Sequence, residues 1–313
     1  MSKDTKAQKR ADWKQKIYER LHAEWNPNIT AWLLLTPALV CLLTFTVFPI
    51  FRSLYLSMCK YTMITPEPQW IGLKNYIKLF TDSDFWQIML NTLKLAVMTL
   101  FPSMVIGLMF ALLCNRKNRR STGFMRTAFF YPVVLPMIVI ASIFGYIYMA
   151  RQGLLDGTVI SLGGKALDVL SSSKTALPAI AVLYVWREAG YLMIFYLSGL
   201  QNINEDLYEA ARLDGASPFM MLRKITLPML GPTLLFVSTI AISDCVTQVD
   251  PILMMTNGGP NESTATLMFQ IYKNGFIYFD QGVASTQTVI LLGIMLAIAM
   301  SQFVKTDDKI HYR

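Results

Sequence analysis

Charged residues are scarce, 15% of 313 positions, against about a quarter in an ordinary soluble domain. That shortfall excludes a secreted soluble domain, a disordered chain and an acidic solvating tail. Histidine is scarcer still: His22 and His311 both sit in polar ends, so one chain cannot supply a His-based metal site. The four cysteines, Cys41, Cys59, Cys114 and Cys245, lie in or at the ends of apolar runs and form no CxxC pair. They read as small hydrophobes, not as a disulfide or metal framework. No GxxxxGK(S/T) and no aspartate-terminated apolar strand is present, so the chain cannot cradle a nucleotide phosphate in the P-loop manner. It is therefore not expected to be an enzyme or to hold a cofactor, and any ATP hydrolysis must be borrowed. The net charge of +8 is split into short blocks between apolar runs, which excludes a nucleic-acid footprint. Low-complexity stretches, internal repeats and a separate soluble domain are also missing.

What is present is hydrophobic sequence, 54% of the chain. A helix needs about 20 mostly apolar residues to cross about 30 Å of hydrocarbon, because in lipid every backbone polar group is paired internally. The uncharged runs 31–51, 127–150 and 283–304 are each long enough. Three more carry charges: 85–113 holds Lys94 near its start, 175–200 holds Arg187 and Glu188, and 231–252 holds Asp244 and Asp250. All six are read as spanning, giving an all-α polytopic membrane protein. Its parts are an N-terminal segment 1–30, a six-helix membrane domain 31–304 and a tail 305–313. The first run follows thirty polar and basic residues and lacks an A-x-A exit, so it is expected to remain as a span and not be cleaved.

With six spans the connecting segments alternate sides, and Lys and Arg number eighteen on one side against seven on the other. Both termini are accordingly predicted to be cytoplasmic. In the N-terminal segment Trp13, Ile17 and Leu21 recur every four residues, the pattern of a helix lying on the lipid surface.

Residues 201–228 do not read as a loop. Asn204 suits a helix N-cap before Glu205 and Asp206, whose charges favour the positive end. Asp214 and Gly215 end that helix, the glycine having the backbone a left-handed C-terminal position wants. Ser217 and Pro218 start another. The result is helix, tight turn, helix, with a small-residue ridge at Ala210, Ala211, Gly215 and Ala216. It serves either as a connector tethering two membrane helices or as a docking element that transmits force into the membrane.

In the fifth span Thr239, Ser243, Thr247 and Asp250 recur at steps of four, four and three, which places them on one helical face, with Asp244 and Gln248 as a neighbouring pair. This face lines either a water-filled path or a hydrogen-bonded helix contact. Arg187, midway along its span, cannot easily reach a headgroup layer. Adjacent Glu188 points away on a helix, so Asp244 or Asp250 is the better expected partner, and attraction of an anionic solute is the alternative role. Pro132, Pro136, Pro228 and Pro232 favour bends.

Glu209-Ala210-Ala211, Asp214-Gly215-Ala216 and Ile225-Thr226-Leu227-Pro228 together resemble the EAA loop of permease subunits in binding-protein-dependent ABC importers. Downstream, Asp250, Thr256-Asn257-Gly258-Gly259-Pro260, Ile271-Tyr272 and Gly282-Val283-Ala284-Ser285 resemble the sugar and glycerol-phosphate permeases of the maltose-type branch. Val249 and Ser285-Thr286 depart from that pattern. The resemblance covers about residues 30–305 and implies a type I ABC importer permease fold in the cytoplasmic (inner) membrane. It also implies ATPase coupling through Glu209, Ala210, Ala211, Asp214, Gly215 and Ala216. Contact with an extracytoplasmic solute-binding protein is implied near Gly258, Gly259 and Pro260 in loop 253–282. The other implied partners are a second homologous permease and two cytoplasmic ATPase subunits that hold ATP and Mg. The solute would be a sugar, oligosaccharide, polyol or glycerol phosphate. An ion-coupled secondary transporter using the intramembrane charges, and a non-transporting scaffold, are the alternatives.

Overall fold

Helix α1, Ala31–Ser57, is continuous through a π-turn at Leu43–Val47 and long enough to cross a bilayer. The computed structural model describes Trp13 and residues 27–64, 67–115 and 120–307. Trp13 apart, the expected surface helix of the N-terminal segment lies outside the described residues, as does most of the tail. The chain divides into two compact units, Met1–Tyr55 and Leu56–Arg313, and the candidate sites all belong to the second.

The second unit begins with a two-residue antiparallel ribbon, β1 Cys59–Lys60 against β2 Gln69–Trp70, and the short helix α2, Lys74–Thr81. Helix α3, Ser83–Cys114, is capped by Asp82, whose carboxylate accepts from the Asp84 amide at 3.1 Å. Its 32 residues extend for about 48 Å, longer than the hydrocarbon alone requires. One face is buried throughout, with Asn91, Leu95, Thr99, Ser103, Gly107 and Ala111 at four-residue steps.

The third expected span is broken, not straight. Helix α4, Arg120–Val134, and helix α5, Met137–Ile147, meet at 95°. Pro136 supplies the break: it lacks an N–H, its backbone is extended at ψ 136°, and it biases Leu135 away from helical geometry. Five helices are therefore individually long and apolar enough to span among the described residues, and the bent pair gives a sixth crossing only if both halves are counted as one.

Helix α6, Leu154–Ser161, lies in the following connection. Its buried Asp156 accepts from the amides of Arg151 at 2.7 Å and Leu167 at 2.8 Å. These two bonds hold its carboxyl below the usual carboxylate range. Their stabilisation is present at neutral pH and is lost only as pH falls through that lowered value.

Helix α7, Ala176–Gln201, is the most buried of the long helices and packs chiefly along α3. Where α4 crosses it, Gly190 is required: a Cβ there would collide with the backbone carbonyl of Phe129. G190V is expected to cost at least about 2 kcal/mol by forcing these backbones apart. Thermal unfolding of the detergent-solubilised protein checks this, and an unchanged midpoint would contradict the packing.

Helix α8, Glu205–Leu213, and helix α9, which begins at Pro218–Met221 and runs through a π-turn at Leu222–Thr226 to Leu227–Met229, form the helix–turn–helix. Helix α10, Gly231–Thr247, and helix α11, Asp250–Met255, make up the fifth segment. Helix α12, Leu267–Tyr272, and helix α13, Gln281–Asp307, complete the unit. Two apolar clusters hold it together. One, with Phe85, Ile88, Leu95, Ile180, Leu183, Ile252, Leu267 and Phe269, surrounds the end of the unit that carries α11 and α12. The other, with Ala111, Leu192, Met193, Tyr196, Leu200, Leu230 and Val237, lies at the end that carries α8.

Candidate functional site

At the α8 end, the local chemistry read from the sequence is in place. Asn204 Oδ1 accepts from the Asp206 amide at 3.1 Å, and Ser217 Oγ accepts from the Met220 amide at 3.3 Å. Gly215 adopts φ +78°, and its amide donates to Arg212 O at 3.1 Å. A helix of nine residues is marginal by itself. Tertiary contact supplies the rest: the Tyr208 and Thr226 hydroxyls share a hydrogen bond of 3.0 Å that ties α8 to the π-turn of α9. Glu209, Ala210, Asp214 and Gly215 are exposed, while Ala211 and Ala216 are half-buried. Behind this surface is a cavity of about 530 Å³ bordered by Leu112, Arg126, Leu200, Tyr208 and Arg212. Arg126 Nη2 donates to Cys114 O at 2.8 Å and so fastens the end of α3 to α4.

Between the two apolar clusters lies a polar layer. Thr99 and Ser103 of α3, Tyr184 and Glu188 of α7, and Asp244 and Cys245 of α10 border a cavity of about 10 Å³, room for one water-sized group. Tyr184 is 4% exposed and Glu188 8%. Among the described residues Tyr184 Oη, Glu188 Oε1 and Arg187 Nε have no hydrogen-bond partner. Such groups in a low-dielectric interior are costly unless water or a partner group meets them.

Three sequence expectations change here. Arg187 Nη1 lies 4.0 Å from Glu188 Oε2, and no ion pair joins Arg187 to Asp244 or Asp250 among the described residues. Two long side chains on neighbouring positions bend toward each other, which backbone spacing alone does not reveal. Asp250 does not share a face with Thr239, Ser243 and Thr247, because α10 stops at Thr247 and Gln248 is extended with ψ 134°. The cause is Pro251, whose ring would clash with the Thr247 carbonyl in a continued helix. Gln248 is likewise the residue that ends α10 and not a helical neighbour of Asp244. Thr239 is spent on helix contact: its Oγ1 donates to Gln302 Oε1 at 2.9 Å, and Gln302 Nε2 donates to Ser238 Oγ at 3.1 Å. Ser243 stays half-buried and Thr247 exposed on α10.

At the opposite end, the loop between α11 and α12 is tightly shaped. Asn257, Gly258, Asn261 and Glu262 all have positive φ, and the Gly259–Pro260 peptide is cis. Thr264 Oγ1 donates to Gly259 O at 2.8 Å and shares a 2.8 Å hydrogen bond with Thr256. Gly258 is buried, Gly259 and Pro260 are half-buried, and Asn257 is exposed together with Asn261 and Glu262 at the tip. No cluster of three His, Cys, Asp or Glu able to hold a metal occurs among the described residues.

Residues 103–306, which run from the last third of α3 through α4 to the end of α13 but for its final residue, match the family of binding-protein-dependent transport system inner membrane components. The chain belongs to that family. The probable ABC transporter permease protein YurN of Bacillus subtilis (strain 168) is 35% identical over 287 residues, covering 90% of this chain and 98% of its own. The trehalose/maltose transport system permease protein MalF of Thermococcus litoralis is 29% identical over 272 residues, covering 86% of this chain and 90% of its own. The sn-glycerol-3-phosphate permease UgpA of Salmonella typhimurium is 26% identical over 292 residues, covering 93% and 97%. In fold, a chain from the crystal structure of a bacterial alginate ABC transporter superposes with a TM-score of 0.79 at 21% identity, covering 91% of this chain and 96% of that one. This inner membrane component is thus a permease subunit with the type I ABC importer fold. Its family implies an ATPase and a solute-binding protein as partners.

Tyr184, Glu188, Thr99 and Ser103 were not singled out by the sequence as one site. A signal was present: Thr99 and Ser103 fall on the same four-residue stripe as Asn91 and Gly107.

Proposed function

We propose that this permease lines one half of a path for ATP-driven uptake of a neutral carbohydrate. The observation supporting it is the polar layer of Tyr184, Glu188 and Asp244, set between two apolar clusters and carrying unpartnered groups. Sugars present many hydroxyls that both donate and accept, and such groups match a phenol beside a carboxylate. The one cation here, Arg187, is already set against the Glu188 carboxyl at 4.0 Å, which disfavours its use for a phosphorylated or acidic solute. Relatives named for trehalose/maltose, lactose and starch degradation products support a carbohydrate, while others are named for sn-glycerol-3-phosphate and sulfoquinovosyl glycerol, so neutrality rests on the placement of Arg187 alone.

The other half of the path comes from a second, homologous permease. Two copies of an ABC ATPase, holding ATP and Mg, seat against Glu209, Ala210, Ala211, Asp214, Gly215 and Ala216. The solute-binding protein delivers at the loop of Gly258, Gly259 and Pro260. Both termini face the cytoplasm in this reading, which the basic-residue asymmetry supports.

Uptake of a radiolabelled neutral oligosaccharide by cells carrying the complete transporter, competed with unlabelled neutral or phosphorylated sugars, tests the solute class. At a hundredfold excess, a neutral competitor is expected to remove at least 90% of uptake and a sugar phosphate less than 20%. The reverse order would overturn the charge argument.

A further inference from the structure

Asn91 lies near the start of α3 and is 2% exposed. Its Nδ2 donates to Glu262 O at 2.9 Å and to Ala265 O at 3.2 Å, both in the loop that follows Gly258-Gly259-Pro260. Its Oδ1 accepts from Gln87 Nε2 at 3.0 Å, which fixes the orientation of the amide. On the next residue, Thr92 Oγ1 accepts from the Leu267 amide at 2.9 Å while donating to Ile88 O at 2.8 Å. One turn of α3 thus holds three backbone groups of a segment more than 170 positions away.

The loop needs such a hold. Four of its residues have positive φ, and Glu262, one of them, is paired only loosely to Lys273 at 3.8 Å on the exposed tip. From Asn91 the buried stripe of α3 runs straight to Thr99 and Ser103 in the polar layer. Twelve helical steps lead from Asn91 to Ser103, a rise of about 18 Å along α3.

We propose that Asn91 is a positioning residue that fastens the loop to α3, so that engagement of the loop by the solute-binding protein displaces the α3 stripe that borders the polar layer. This rests on the reading of that loop as the docking surface. Asp in place of Asn91 keeps the shape but turns both donors into acceptors facing carbonyl oxygens, which removes the hold and adds repulsion.

The test uses the complete transporter in nanodiscs, with ATPase rate measured against solute-loaded binding protein. N91D is expected to lower the stimulated rate at saturating binding protein at least tenfold, with basal ATPase and subunit stoichiometry within twofold of wild type. A wild-type stimulated rate, or basal and stimulated rates falling together, would overturn the positioning role. If N91D does not assemble, T92V decides: it removes the acceptor for the Leu267 amide, together with a donation to Ile88 O that stays within α3, and is expected to lose two- to fivefold of stimulation, with T92S restoring it. An unaffected T92V would overturn the proposal. E262R at the exposed tip separates the two readings. If E262R leaves half-saturation by the binding protein unchanged, the docking assignment fails; if it raises half-saturation while N91D is normal, only the positioning role fails.

Discussion

A transporter carrying G215V is expected to insert normally and to lose at least 90% of its ATP-driven uptake. Gly215 has φ +78°, and among the described residues, its two chain neighbours aside, no atom lies within 4 Å of where a Cβ would stand. The substitution therefore meets no internal clash. Its cost is the left-handed backbone, about 1–3 kcal/mol and worst for a β-branched side chain. The Gly215 amide bond to Arg212 O closes α8, so the strain falls on the turn that orients Glu209 and Ala210 outward. Uptake would fail because the proposed ATPase contact loses both its shape and its close approach. G215A should be intermediate. Co-purification of the ATPase with the permease pair, together with uptake, checks this, and a G215V transporter with normal association and uptake would remove the turn from the coupling surface.

The second large effect is expected at Arg187. Its side chain is 19% exposed and that of Glu188 10%, 4.0 Å apart. Removing the cation from such a setting leaves an uncompensated carboxylate, a change that typically costs about 3–5 kcal/mol. R187M should therefore reduce assembled transporter several-fold. The double variant R187M/E188M, which removes both charges, should recover most of the assembly while uptake stays below 10% of wild type, because the carboxylate in the polar layer is gone. Gel-filtration yield and uptake separate the two readouts. Full uptake in the double variant would show that Glu188 does not serve the solute path, and failure of the double variant to recover assembly would show that the pair is not the reason for Arg187.

The features legible in the sequence were the local ones. Asn204, Gly215, Ser217 and Pro218 each act on backbone groups within a few residues, so their roles followed from residue type and order. Long apolar runs identified five helices and the bent pair for the same reason. What failed depended on atoms further off. A helical wheel carried Thr239, Ser243, Thr247 and Asp250 along one face because it took no account of the Pro251 ring against the Thr247 carbonyl. Pro136 was recognised as a source of bending, but the 95° angle depends on how α5 packs with α11. The polar layer joins α3, α7 and α10, and no pattern within one helix contains it. Asn91 was invisible for the same reason, since its carboxamide is used by a loop far along the chain.

The most direct measurement is solute uptake into proteoliposomes containing this permease, its homologous partner and the ATPase, with binding protein and solute outside and ATP enclosed. ATP should drive accumulation that disappears when this chain is omitted or when a non-hydrolysable ATP analogue is enclosed. A proton or sodium gradient across vesicles holding this chain alone should drive none. Accumulation by the chain alone under an ion gradient, without ATP, would contradict the account and assign the buried carboxylates to ion coupling.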